Sequence, residues 1–169
     1  MRGLASCAYP YVRTGGHFAG ICAVLIATFL AIQPSAAGEF GTRDEAVAMV
    51  KRVQAEFART GAEATFKAID DKANATFHDR DLYAFVYDLN GLSVAHGARP
   101  ALVGKNLISL KDQNGTYIIQ EMIALAKGPG SGWVDYKWPN PLTHKIQDKS
   151  AYVEKLGEKY FVGVGIYKP

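Results

Sequence analysis

The chain has 169 residues, 49% hydrophobic and 11% aromatic, with 19 Lys and Arg against 16 Asp and Glu. That is the profile of one compact domain, and it argues against a disordered or multidomain chain. Two of the basic residues, Arg2 and Arg13, lie in a segment expected to be removed, which leaves 17 against 16. A near-neutral chain without a basic run lacks the Lys/Arg stripe that neutralises phosphates, so nucleic acid is excluded as a partner.

The N-terminus carries Arg2 and Arg13, then the apolar run Ile21-Cys-Ala-Val-Leu-Ile-Ala-Thr-Phe-Leu-Ala-Ile32, then the small-residue site Ser35-Ala36-Ala37. This order is that of a cleaved secretory signal peptide. Even the extended run from Phe18 to Ile32 is shorter than the roughly 20 residues of a bilayer span. Residues 1–37 are therefore assigned as signal peptide and 38–169 as a single periplasmic domain. Cys7 and Cys22 both precede the cut, so the mature chain is expected to have neither disulfides nor thiol chemistry.

Thr42-Arg-Asp-Glu45 places a hydroxyl cap three residues before a carboxylate, and Val47, Val50, Val53 and Phe57 follow at helical spacing. Gly61 ends this helix, and a weaker one continues to about Ala73, followed by a loop over 74–81. Leu82-Tyr-Ala-Phe-Val-Tyr-Asp-Leu89 and Leu92-Ser-Val-Ala-His96 flank Asn90-Gly91, which predicts a hairpin with a two-residue turn. In that register Phe85 faces His96 and Tyr87 faces Val94, with all four on one side and Ala84, Val86 and Ala95 on the other.

A third helix is predicted from about Gly115 to Lys127, capped by Asn114 or Asp112. Gly132 to Trp138 reads as a strand stopped by Pro139 and Pro141, and a loop through His144 follows. Two last strands, 150–156 and 159–167, join through Gly157-Glu158. A two-residue turn there sets Tyr152 opposite Gly163 and Ser150 opposite Gly165, leaving space beside the tyrosine. The fold class is α+β: an antiparallel sheet of about five strands with flanking helices.

The blocks Leu82-Tyr-Ala-Phe-Val-Tyr-Asp-Leu-Asn-Gly91, Ala95-His96, Pro100-Ala-Leu-Val-Gly-Lys-Asn-Leu107, Gly132-Trp-Val-Asp-Tyr-Lys-Trp-Pro139, Lys149-Ser-Ala-Tyr-Val153 and Val162-Gly-Val-Gly-Ile-Tyr167 occur in this order. Through them the chain resembles the single Cache domain type 2 family over 42–167. The resemblance implies a PAS-like sheet behind an N-terminal helix, used outside the cytoplasmic membrane to sense small molecules, often short organic acids. Receptor members continue into a membrane helix and a signalling module, whereas this sequence stops at Pro169, which suggests a stand-alone protein. Gly97 also departs from the proline that receptor members more often have after the histidine.

His96, buried opposite Phe85, needs either a backbone partner or a ligand. Lys149 is the best candidate to hold a carboxylate, its alternative being an ordinary surface lysine, and Arg99 is a competing cation. Tyr136 and Trp138 share a strand face and, with Phe85, Tyr87 and Tyr152, either line a pocket or simply fill a core. Trp133 lies on the opposite face. His78, His96 and His144 lack ligand spacing, so no metal and no cofactor is expected. No Gly-x-Ser-x-Gly elbow, HExxH, P-loop or Rossmann pattern occurs, which argues against an enzyme.

The expected site is thus Phe85, His96, Tyr136, Trp138, Lys149 and Tyr152, taking a small organic ligand, most plausibly a carboxylate. The competing reading is an accessory subunit with a vestigial pocket, docking on a membrane-bound sensor or transporter through an apolar patch around Met49 and Val53. Homodimerisation through the N-terminal helix fits either.

Overall fold

The computed structural model describes residues 39–168; the expected signal peptide and both cysteines lie outside the described residues. Helix α1, Arg43–Asp70, begins with the expected capping box: the Thr42 hydroxyl accepts from the Glu45 N–H, and Glu45 accepts from the Thr42 N–H. Gly61, at φ 80° and ψ 178°, interrupts the helical geometry, so α1 is two helical segments joined where the glycine predicted a break.

Strand β1 (His78–Asp79) is a two-residue strand inside the segment expected to be loop. It is followed by β2 (Leu82–Asp88), β3 (Ser93–His96), helix α2 (Ile118–Lys127), β4 (Ser131–Pro139), β5 (Ile146–Leu156) and β6 (Tyr160–Tyr167). All pairings are antiparallel in the order β1-β2-β6-β5-β4, with β3 also on β2. Side chains alternate across the sheet, so each face has its own core. On one face Met49, Val50, Val53 and Ile69 of α1 pack on Leu82, Ala84, Val86, Val162 and Val164. On the other, Ile118, Ile119, Met122 and Ala126 of α2 pack on Tyr83, Phe85, Tyr87, Tyr136, Phe161 and Tyr167.

Two predicted turns differ from the structure. At the first hairpin the Asp88 carboxylate accepts from the N–H groups of Asn90 and Leu92, and Gly91 has φ 90°. That longer turn sets Tyr87 opposite Ser93, and a bulge restores Phe85 to His96. Val94 consequently packs with the α1 core and not beside Tyr87. At the second hairpin Leu156 pairs with Tyr160, so three residues form the connection, and Gly157 takes φ 58°.

The one-residue change in register exchanges the faces of the pairing. Tyr152 lies opposite Val164, while Gly163 and Gly165 pair with Val153 and Ala151. A third correction concerns α2, whose N-cap is Tyr117 without a side-chain cap. Asp112 instead holds the preceding loop, accepting from Asn114, Thr116 and, across to β4, Lys137.

The space over the two glycines is filled: a Cβ at Gly163 would fall on the Phe85 ring, and one at Gly165 on the side chain of Lys149. Gly163→Ala and Gly165→Ala are each expected to destabilise the domain by about 1–3 kcal/mol through overpacking. Chemical denaturation measures this; unchanged stability in both would place these glycines away from Phe85 and Lys149.

Candidate functional site

The aromatic face of the sheet follows from strand parity. Tyr83, Phe85 and Tyr87 alternate along β2, Tyr136 and Trp138 along β4, and Lys149 and Tyr167 occupy the matching parity on β5 and β6. Between this face and its covering segment lies a cavity lined by Tyr83, Phe85, His96, Tyr136, Trp138 and Met122, among others. Its volume is only about 10 Å³, room for about one water. Its walls are apolar rings with a few polar tips.

His96 is 2% exposed and held at three points. Its N–H donates to the Asp70 carboxylate at 2.8 Å, at the end of α1. Its Nδ1 accepts from the Arg99 N–H at 3.1 Å. The ring stacks on Tyr83 and Phe85 with centroids 5.3 and 6.0 Å away. Burial, reinforced by the nearby Lys149, lowers the imidazole pKa to about 3. The ring is therefore neutral at physiological pH, and because Nδ1 is the acceptor, Nε2 carries the proton and is a donor.

Gly97 next in sequence donates its N–H to the Ala84 carbonyl at 3.0 Å, a bond a proline could not make, and a Cβ there would meet His78.

Lys149 lies in the middle of β5, 1% exposed, its stem passing over Gly165. Nζ is 3.8 Å from the Tyr83 ring centroid, 4.7 Å from that of Tyr167 and 5.9 Å from that of Phe85. Its one hydrogen bond is a long one, donated to the Tyr167 hydroxyl at 3.4 Å. Among the described residues it belongs to no ion pair. Burial holds its pKa well below the ordinary lysine value; Asp81 opposes the shift and Arg99 adds to it. Tyr167 in turn donates to the Pro139 carbonyl at 2.8 Å and lies 3.1 Å from the Tyr83 hydroxyl. Since Tyr167 uses its only proton on Pro139, Tyr83 is the donor in that pair. Burial raises the pKa of both tyrosines above the ordinary value, which keeps both hydroxyls protonated.

The structure brings Phe85, His96, Tyr136 and Trp138 together around the cavity. Lys149 is on the same face but is not a wall; Tyr83, which is, lies against both. Tyr152 is on the opposite face, where its ring packs on Trp133 and its hydroxyl donates to Glu154. The misjudged turn is the physical reason. Arg99 is exposed, with its guanidinium 5.7 Å from the Trp138 ring. Among the described residues no three His, Cys, Asp or Glu side chains gather as metal ligands.

Sequence reasoning passed over Tyr83 and Tyr167, and with them the lid residues Leu110, Ile118, Ile119 and Met122. Tyr83 shares the parity of Phe85 and was open to detection; the lid comes from separate segments and was not.

The Cache domain family model matches residues 43–168. The chain belongs to the Cache domain family. Two curated relatives align with this Cache domain over 91 residues, 53% of the chain. They are the sensor histidine kinase MctS of Rhizobium johnstonii, 38% identical, and the methyl-accepting chemotaxis protein McpP of Pseudomonas putida, 31% identical. The match covers 20% and 17% of those proteins, so about a fifth of each is represented.

Solved structures agree on the fold. A methyl-accepting chemotaxis protein from Vibrio parahaemolyticus superposes with TM-score 0.63 at 28% identity, covering 73% of this chain and 86% of that one. A Cache chemosensory domain whose structure addresses carboxylic acid recognition superposes with TM-score 0.59 at 25% identity, covering 75% and 88%. The α+β, PAS-like expectation therefore holds for the Cache domain, with six strands where about five were expected.

The buried neutral His96 makes stability depend on pH. The unfolded chain binds a proton at this residue below about 6.5, and the native state does so only near 3. Between those values acid favours unfolding, by up to about 1.4 kcal/mol per pH unit from this group. Denaturation of His96→Asn between pH 4 and 7 should show a shallower loss in acid than the parent. Equal slopes would mean that His96 is protonated in the folded protein.

Proposed function

We propose that this domain is an extracytoplasmic sensor module that binds a short organic carboxylate on the α2 face of its sheet. The observation that carries the reading is Lys149, a cation-forming group sealed in the interior beside a neutral histidine donor, with no carboxylate among the described residues within ion-pair distance. A buried amine without a counterion is costly unless it is there to meet one. In this reading Lys149 neutralises the carboxylate, His96 donates through Nε2–H, and Phe85, Tyr136 and Trp138 wall the apolar tail. Tyr83 takes the place first assigned to Tyr152.

The cavity is smaller than any carboxylate, so Tyr83 must turn aside for a ligand to reach Nζ. The relatives support the class of function: they are a sensor kinase, chemotaxis receptors and a domain studied for carboxylic acid recognition. Catalysis is not part of the proposal. The competing docking reading loses the mark assigned to it, because Met49 and Val53 are fully buried against the sheet.

A thermal-shift and calorimetric titration with acetate, propionate and pyruvate tests the reading. One of these should raise the melting temperature by mass action, and Lys149→Met should weaken its binding at least tenfold while the domain stays folded. No binding of any short carboxylate to folded protein, or binding indifferent to Lys149→Met, would sink it.

A further inference from the structure

We infer that the site takes its carboxylate together with a proton, so that the bound species is in sum a carboxylic acid and affinity falls as pH rises. The inference rests on the carboxylate reading above and extends it to the protonation state of what is recognised. Its starting point is geometric. Lys149 is enclosed on every side that the structure describes: by Tyr83 and Phe85 of β2, by Tyr167 and the bare backbone of Gly165 on β6, and by Tyr136, its cross-strand partner on β4.

The titratable and charged groups that act on it are few. Tyr83, Tyr136 and Tyr167 are neutral phenols whose pKa values burial has raised. His96 is a neutral imidazole, and Arg99, a surface cation, repels an ammonium. Asp81 is the one group that favours the charged form, yet it stands outside ion-pair distance of Nζ, and one of its carboxylate oxygens is taken by the Gly41 N–H at 2.7 Å. Three ring faces and a hydroxyl 3.4 Å away do not replace the hydration of an ammonium. By this geometry Lys149 is an uncharged amine in the free protein, in line with the direction of its pKa shift.

A carboxylate that reaches this amine supplies the missing negative charge. The ion pair forms when the amine nitrogen accepts one proton from solvent or buffer, so the balance is one carboxylate plus one proton in, and no net charge buried. The donor of Tyr167 stays on Pro139 and Nε2–H of His96 stays on the imidazole, so neither group changes its proton count. The sign follows from linkage: the complex binds one more proton than the free protein. Between the lowered pKa of Lys149 in the free protein and its restored value in the complex, affinity falls as pH rises, up to tenfold per unit.

Isothermal titration of the mature protein with acetate between pH 6 and 8.5, above the acid's own titration range, reads this directly. Repeating each titration in phosphate and in Tris converts the difference in heat into protons exchanged. Uptake approaching one proton per acetate is expected, with affinity declining toward tenfold per unit. His96→Asn should keep that uptake, and Lys149→Met should bind weakly with none. Acetate binding that is sensitive to Lys149→Met but has flat affinity and no proton exchange would overturn the inference and leave the carboxylate reading standing. Uptake that disappears in His96→Asn would also overturn it, by moving the proton to the histidine. Failure of acetate, propionate and pyruvate alike to bind the folded protein at any of these pH values would overturn both.

Discussion

The arrangement of the whole α2 face depends on keeping one amine out of water. A lysine in the middle of a central strand is tolerated only where its stem has room and its head has soft neighbours. The room comes from Gly165, diagonally across on β6, over which the lysine stem lies, and the neighbours are Tyr83, Tyr167 and Phe85. Phe85 can reach that position because Gly163 is also bare. Two glycines two residues apart on β6 thus make the floor on which a ring and a lysine lie side by side.

The two faces of the sheet are built for different ends. The α1 face is aliphatic and tightly filled, with Met49, Val50, Val53, Val86, Val162 and Val164 fully buried, and it supplies the hydrophobic stabilisation of the domain. The α2 face is rich in hydroxyls and rings and includes the cavity. A short chain of bonds runs from Lys149 and Tyr83 through Tyr167 to the Pro139 carbonyl, at the end of β4. His96 is tied by its backbone to Asp70 at the end of α1, so the histidine is where the two helical layers meet.

Neutrality links the chemistry of the site to its family. The described residues put a neutral imidazole, neutral phenols and a buried lysine whose pKa burial lowers around apolar walls, and membership of the Cache family sets that arrangement among extracytoplasmic sensor domains.

Local chemistry determined much of this in advance. The Thr42–Glu45 box, the break at Gly61 and the shared face of Tyr136 and Trp138 are all short-range matters of capping, backbone freedom and strand parity, and they were legible in the residues themselves; Phe85 opposite His96 was foreseen too, but through a shorter turn than the real one, whose extra residue a bulge offsets. The burial of Lys149 was not, because a lysine reads as a surface residue until the register that lays its stem over Gly165 is known. Tyr152 shows the same limit: its face turned on whether Gly157 opened a two- or a three-residue connection, a difference of one residue that reverses an entire strand. The tertiary structure alone decided which side chains share a face across β5 and β6 and which segments close over them, since both depend on contacts between residues far apart in the chain.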